Sequence, residues 1–155
     1  MTTNYTSRVP QALANLFELL DTSPDLKADG SVAVCYGLPT QPESQIVSIT
    51  GQIETIEQTP YAQGARSRDE MFSIEVRINV LRTGDDARTA LERAFALLGV
   101  IELRILRPNV TLQRSAGEQG PLLMSHITPT KVVTNTHPDG VECEITALVL
   151  CKARI

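Results

Sequence analysis

The sequence predicts an α+β domain in which a mostly antiparallel or mixed β-sheet is packed by two α-helices as a two-layer sandwich. Three observations predict it. Two stretches, near residues 7–22 and 86–98, repeat apolar side chains at the three- and four-residue spacing of an amphipathic helix. Longer stretches alternate apolar and polar residues, the period of a strand with one face on a core. The helical stretches are separated by runs of strand rather than alternating with strands one for one, so a strictly βαβ chain with a parallel sheet is not supported.

The elements follow in order. Val9, Ala12, Leu13, Leu16, Phe17 and Leu20 make the apolar stripe of the first helix, which Ser7 or Thr6 caps, with Pro10 in the first turn and a stop before Pro24. Gln11, Asn15, Glu18 and Asp21 form its wet face. Asp25–Ser31 reads as a turn-rich connector, Val32–Tyr36 as a short strand, and the Pro-containing segment 38–42 as its interruption. Ile46–Gln58 is a strand with Val47, Ile49 and Ile53 inward, and Gly51 on that face marks a bulge or a close backbone approach. Thr59–Glu70 has Pro, Gly and four charges but one large apolar side chain, Tyr61, and reads as a long exposed loop.

Phe72, Ile74, Val76, Ile78 and Val80 then alternate with Ser73, Glu75, Arg77 and Asn79, the cleanest strand in the chain. The second helix starts at Asp85 as N-cap with Asp86 beside it, and buries Ala87, Ala90, Leu91, Ala94, Phe95 and Leu98. Gly99 either ends this helix or is passed through; the sequence leaves both open. Val110–Leu112 is a short strand candidate, and 115–121 a loop. Leu122–Thr136 reads as an edge or bent strand because of Pro129, and His137-Pro-Asp-Gly140 as a hairpin turn. In the last strand, Val141–Ile155, the odd residues are all apolar, and Leu148 and Leu150 interrupt an otherwise polar second face, so that its middle is expected to be covered.

At 155 residues the chain is expected to be a single domain, 1–155, large enough to bury a core without disulfide or metal. Hydrophobic residues at 42% and charged residues at 21% exclude a disordered or fibrous chain. The net charge is −4 and the Lys and Arg residues are scattered, so the basic footprint of a duplex-DNA reader is missing; 4% aromatics without Trp argue against a base-stacking platform. Residues 1–8 lack a signal-peptide pattern and no apolar run approaches the ~18 residues of a bilayer span, which predicts synthesis in a cytosol and no membrane partner.

Chemistry is sparse. Nucleotide-binding, zinc-protease and nucleophile-elbow motifs are missing from the sequence. Cys143 and Cys151 would lie about 26 Å apart on one strand at ~3.3 Å per residue; with Cys35 they read as small buried hydrophobes. His126 and His137 read as strand and turn residues, Asp85 and Asp86 as helix caps. No catalytic, cofactor-binding or metal residue is predicted. The candidate partner interface comprises Tyr61, Arg66, Arg68, Asp69 and Glu70 of the charged loop, with Leu148 and Leu150 on the second strand face.

The block Asp69-Glu-Met-Phe-Ser-Ile-Glu-Val-Arg-Ile-Asn-Val-Leu81, then Gly84-Asp-Asp, then Ala90-Leu-Glu-Arg-Ala-Phe, and a last strand ending Cys151-Lys-Ala-Arg-Ile155, behind an N-terminal amphipathic helix, resembles the tail-terminator proteins of long-tailed, siphovirus-like bacteriophages. The likeness covers nearly the whole chain and rests on element order and weak blocks. It implies a non-enzymatic virion protein without cofactors, found at the head-proximal end of the tail. There it assembles as a homo-oligomer, a hexameric ring, on the tail tube protein. The ring stops tube polymerisation and offers a surface to the head connector or neck protein, while genomic DNA passes through its lumen without specific binding. Two rival readings are another head–tail joining or tail-completion protein, and a small cytosolic enzyme or ligand-binding module.

Overall fold

The computed structural model describes residues 7–27, 32–37, 39, 43–60, 68–84, 86–114 and 118–155. Its elements are α1 (Val9–Asp21), α2 (Pro24–Lys27), β1 (Val32–Tyr36), β2 (Gln45–Pro60), β3 (Arg68–Arg82), α3 (Ala87–Val100) continuing into a π-helical segment (Ile101–Leu106), β4 (Met124–His137) and β5 (Gly140–Arg154). One five-stranded sheet has the order β1-β2-β3-β5-β4. β1 runs parallel to β2 and every other pairing is antiparallel, so the sheet is mixed and the fold α+β.

The core follows from the period of two. Phe72, Ile74, Val76, Ile78 and Val80 of β3 stand opposite Cys151, Val149, Ala147, Ile145 and Cys143 of β5, and all ten are buried. Val47 and Ile49 of β2 extend the same face. Against it pack Ala12, Leu16 and Leu20 of α1 and Ala90, Ala94, Leu97 and Leu98 of α3. Burial of one such aliphatic side chain contributes about 1.5–3 kcal/mol. This face is the helix face; the opposite face carries no helix among the described residues and is called the open face.

Gly51 adopts φ 84° and the β2–β3 register shifts between Ile49 and Ile53, so the glycine forms the bulge its position on an apolar face suggested. Pro129 lies on the edge strand beside a register shift in the β4–β5 pairing, a place where its missing N–H is tolerated. His137 pairs with Gly140 across the hairpin turn.

Several expectations are corrected. Thr59 and Pro60 belong to β2 and Arg68–Glu70 to β3, paired as Thr59 with Asp69 and Pro60 with Arg68. The loop read over Thr59–Glu70 is therefore strand at both ends, because backbone pairing continues a hairpin after side-chain alternation has lapsed; residues 61–67 lie outside the described residues. Asp86, not Asp85, is the N-cap: its Oδ1 accepts from the Thr89 N–H and hydroxyl at 2.9 Å each, while Asp85 lies outside the described residues. Arg8 occupies the N-cap position of α1 and makes no side-chain cap; Ser7 Oγ accepts from the Val9 N–H. A single helical turn, α2, buries Leu26 within the supposed connector.

The chain passes through Gly99 and widens into the π-helical segment, whose i→i+5 pitch turns the consecutive residues Ile105 and Leu106 both into the core. Ala87 and Phe95 are exposed rather than buried and Leu91 is half-buried, while Leu97, outside the predicted stripe, is buried beside Leu98. Val110–Leu112 is a turn and not a strand: Leu112 adopts the left-handed φ of 54° and buries its side chain completely.

Asn15, read as part of a wet face, is buried. Its Nδ2 donates to the Leu112 carbonyl at 2.9 Å and its Oδ1 accepts from Arg114 Nε at 2.8 Å, tying α1 to the left-handed turn. Asn15→Ala is expected to lower unfolding stability by about 1–3 kcal/mol, the cost of a buried carbonyl left without a donor; chemical denaturation of the variant checks it, and Gln11→Ala on the exposed face serves as the neutral control.

Candidate functional site

The residues singled out from the sequence separate on the structure by strand parity. Tyr61 and Arg66 lie outside the described residues. Arg68 and Glu70 share the helix-face parity of Phe72, whereas Asp69 points to the open face with Leu148 and Leu150. Arg68 closes the sheet end, exchanging backbone hydrogen bonds with Ile155 at 3.2 and 2.9 Å.

Glu70 is fully buried and not part of a charged loop tip. Its Oε1 accepts from the Arg8 backbone N–H at 2.7 Å and its Oε2 from Gln58 Nε2 at 2.9 Å. The carboxylate thus satisfies an orphan donor at the start of α1, doing from 62 residues away what a local cap does elsewhere. Asp69 instead meets Arg154 Nε at 2.9 Å on the surface. The hydrogen bond from Arg154, with the positive charges of Arg154 and Lys152, holds its carboxyl below the usual carboxylate range.

The open face is built row by row across the strands. Glu57, Met71, Lys152 and Met124 stand side by side on β2, β3, β5 and β4. The next rows are Ser73, Leu150, His126 and then Glu75, Leu148, Thr128. Met71 is 53% and Met124 50% exposed, with Leu148 and Leu150 half-buried behind them. One end of the face therefore gathers two methionines and two leucines around Lys152. Methionine side chains there can adapt to an irregular partner surface.

The other end is polar. Glu75, 5% exposed, accepts from Thr50 Oγ1 at 2.6 Å, and Arg77 lies 3.8 Å from Glu75 and 4.0 Å from Glu144. Asn79 Nδ2 donates to Glu142 Oε1 at 2.5 Å, and the other oxygen of Glu142 meets His137 Nε2 at 2.7 Å. These contacts pair carboxylates with donors. His126 sits beside Leu150 on the apolar end. Among the described residues no group of three or more His, Cys, Asp or Glu side chains is placed to hold a metal, and no helix is long and apolar enough to cross a membrane.

Cys143 and Cys151 are buried on the helix face, and burial pushes the Cys151 thiol up to about 12. Cys35, half-buried on β1, is on the open-face parity beside Ser48. The sequence reading missed Met71 and Met124. The available signal was that each flanks a strand run in phase with the Leu148–Leu150 face.

No protein-family model matches the sequence, and comparison with curated proteins finds no match either. Among solved structures, a chain of the virion of a native gene transfer agent particle shares the fold, with a TM-score of 0.61 over 97% of this chain and 100% of that one. Sequence identity between them is 14%.

Two outcomes are expected. Glu70→Ala is expected to cost about 1–3 kcal/mol and to speed amide exchange in the first turn of α1, while Glu70→Gln, which keeps an acceptor oxygen, costs less. The Asp69 carboxyl has a depressed folded-state pKa, so its pairing with Arg154 is present above the unfolded value and is lost as pH falls through the folded one. An acid NMR titration checks this: the Asp69 carboxyl titrates below a free aspartate, and Arg154→Gln moves it upward.

Proposed function

We propose that this protein is a structural virion component that caps the head-proximal end of a phage tail tube as a homo-oligomeric ring. Six copies is the number the family resemblance implies. The ring stops polymerisation of the tube protein and presents a joining surface to the head connector or neck protein. The observation that carries this reading is end-to-end agreement of fold with a chain of a gene transfer agent virion. The strand and helix blocks that resemble tail terminators supply the finer assignment.

The surface supports the same reading. The open face offers a methionine–leucine patch of a kind that monomeric proteins leave small, and such patches mark sites where proteins meet. Leu148 and Leu150 belong to this patch, Asp69 with Arg154 borders it, and Arg68 and Glu70 hold the sheet end and α1 behind it. A net charge of −4 suits a lumen through which DNA slides, since 18 acidic residues outnumber 14 Lys and Arg.

Negative-stain imaging with the cognate tail-tube protein tests the proposal. Tubes grown with this protein present are expected to end in a ring at one end and to stop lengthening, and Leu150→Glu with Met124→Glu, which charges the patch without touching the core, reduces the capped fraction at least tenfold. Tubes that keep growing while the protein binds their end would favour a different head–tail joining role. Protein that never associates with tubes or tails would remove the reading altogether.

A further inference from the structure

The sheet ends in two free edges, β1 on one side and β4 on the other, and no described strand lies beyond either. A long edge is ordinarily blunted by charge, proline or a bulge. On β4 these devices sit together at Pro129, the register shift after it, and Lys131. Val132–His137 beyond them has none, and its side chains are exposed or only half-buried on both faces. This unprotected stretch is six residues long and β1 is five.

We propose that neighbouring copies join head to tail by pairing these two edges, β4 of one copy with β1 of the next, so that the sheet continues from subunit to subunit. The inference rests on the ring proposed above and assigns its junction. Strand direction supports it. Counting from β1, the strands run up, up, down, up, down. A second copy set beside β4 in the same orientation therefore brings an upward β1 against a downward β4, an antiparallel match.

Hydrogen-bond parity supports it independently. The paired bonds between Arg68 and Ile155 direct the odd residues of β5 toward β3 and leave its even residues facing β4. Val132, Thr134 and Thr136 stand opposite the odd residues Ile145, Cys143 and Val141, so their own N–H and C=O groups point outward. On β1 the Gly37 N–H donates to the Ile49 carbonyl at 2.7 Å, which by the two-residue period leaves Val32, Val34 and Tyr36 facing outward. Hydrogen-bonded partners in an antiparallel pair must share a sheet face. Both outward sets are on the helix face, since Val34 and Tyr36 stand beside Val47 and Ile49.

One register places Val34 opposite Thr134, and then Tyr36 opposite Val132 and Val32 opposite Thr136. It brings Tyr36, 52% exposed although its ring meets Phe17 edge-on, against Val132, 40% exposed, two large side chains each partly uncovered on a free edge. The occupant of either edge is thus a second copy of this chain. The same register sets Cys35 opposite Val133 in a non-hydrogen-bonded pair, the closer spacing of the two.

That pair provides the test. Val133→Cys is introduced with the native Cys35 kept, and the protein, at rising concentration and on tail tubes, is treated with oxidised glutathione. Within one chain the two positions are four strand spacings apart, roughly 19 Å, and cannot bridge. The expected result is a ladder of covalent dimers, trimers and higher species on a non-reducing gel, lost when Cys35→Ser is added. Thr134→Pro removes an outward N–H that β5 does not use, together with the side-chain hydrogen bond between Thr134 and Cys143; it is expected to lower the thermal midpoint no more than Thr134→Val does, and to abolish the ladder that Thr134→Val keeps. Rings seen by imaging without a ladder would overturn the junction while leaving the ring. Dimers that persist with Cys35→Ser would mean that β4 pairs with another β4. A ladder that survives Thr134→Pro would equally overturn edge pairing, and the absence of any self-association, on tubes or off them, would remove both junction and ring.

Discussion

The molecule depends on the pairing of β3 with β5. Their register runs without a break from Asp69 opposite Arg154 to Arg82 opposite Val141. Because side chains alternate with a period of two, this one register fixes which residues go in and which go out for the centre of the sheet. A slip of β3 by one residue would send Glu75 and Arg77 under the helices and Ile74 and Val76 to solvent. The apolar helix face therefore enforces the register, and the register in turn sets the composition of the open face. The surface available for assembly is the by-product of a constraint that acts in the core.

That constraint is also why so much of the fold was legible in the sequence. Phe72–Val80 and Val141–Ala153 alternate so regularly that strand identity and inward face follow from the residues alone. The stripes of α1 and α3 likewise foretold a helix layer. The bulge at Gly51 and the edge position of Pro129 were readable because each residue type has a narrow set of backbone uses. These are local signals, carried by spacing within one element.

What was not legible depended on partners distant in the chain. Asn15 looks wet on a helical wheel, and only the Leu112 turn, 97 residues later, supplies the buried carbonyl it serves. Glu70 looks like loop charge, and only the start of α1 gives it a donor to accept from. In both cases a polar residue closes a backbone hydrogen bond that composition cannot announce. The open-face patch was read only as far as Leu148 and Leu150, for a related reason: Met71 and Met124 come from two other strands, and strand order is not written in any one of them. The same holds for the two edges, whose complementarity appears only when the direction and hydrogen-bond phase of every intervening strand are known.

The π-helical segment after α3 has a consequence for comparing this chain with others. Up to Ile101 the inward residues recur at the α-helical period of about 3.6 per turn, and after it the wider turn admits one extra residue before the core is faced again. A relative with an uninterrupted α-helix here would need one residue fewer to reach the equivalent of Leu106. An ungapped alignment would then set its equivalents of Leu112, Leu122 and Ile127 against Thr111, Pro121 and His126 of this chain, and its identity would be undercounted from that point on. The length of a single helical turn thus displaces every later core position by one in a comparison of sequences, while the backbone on either side stays superposable.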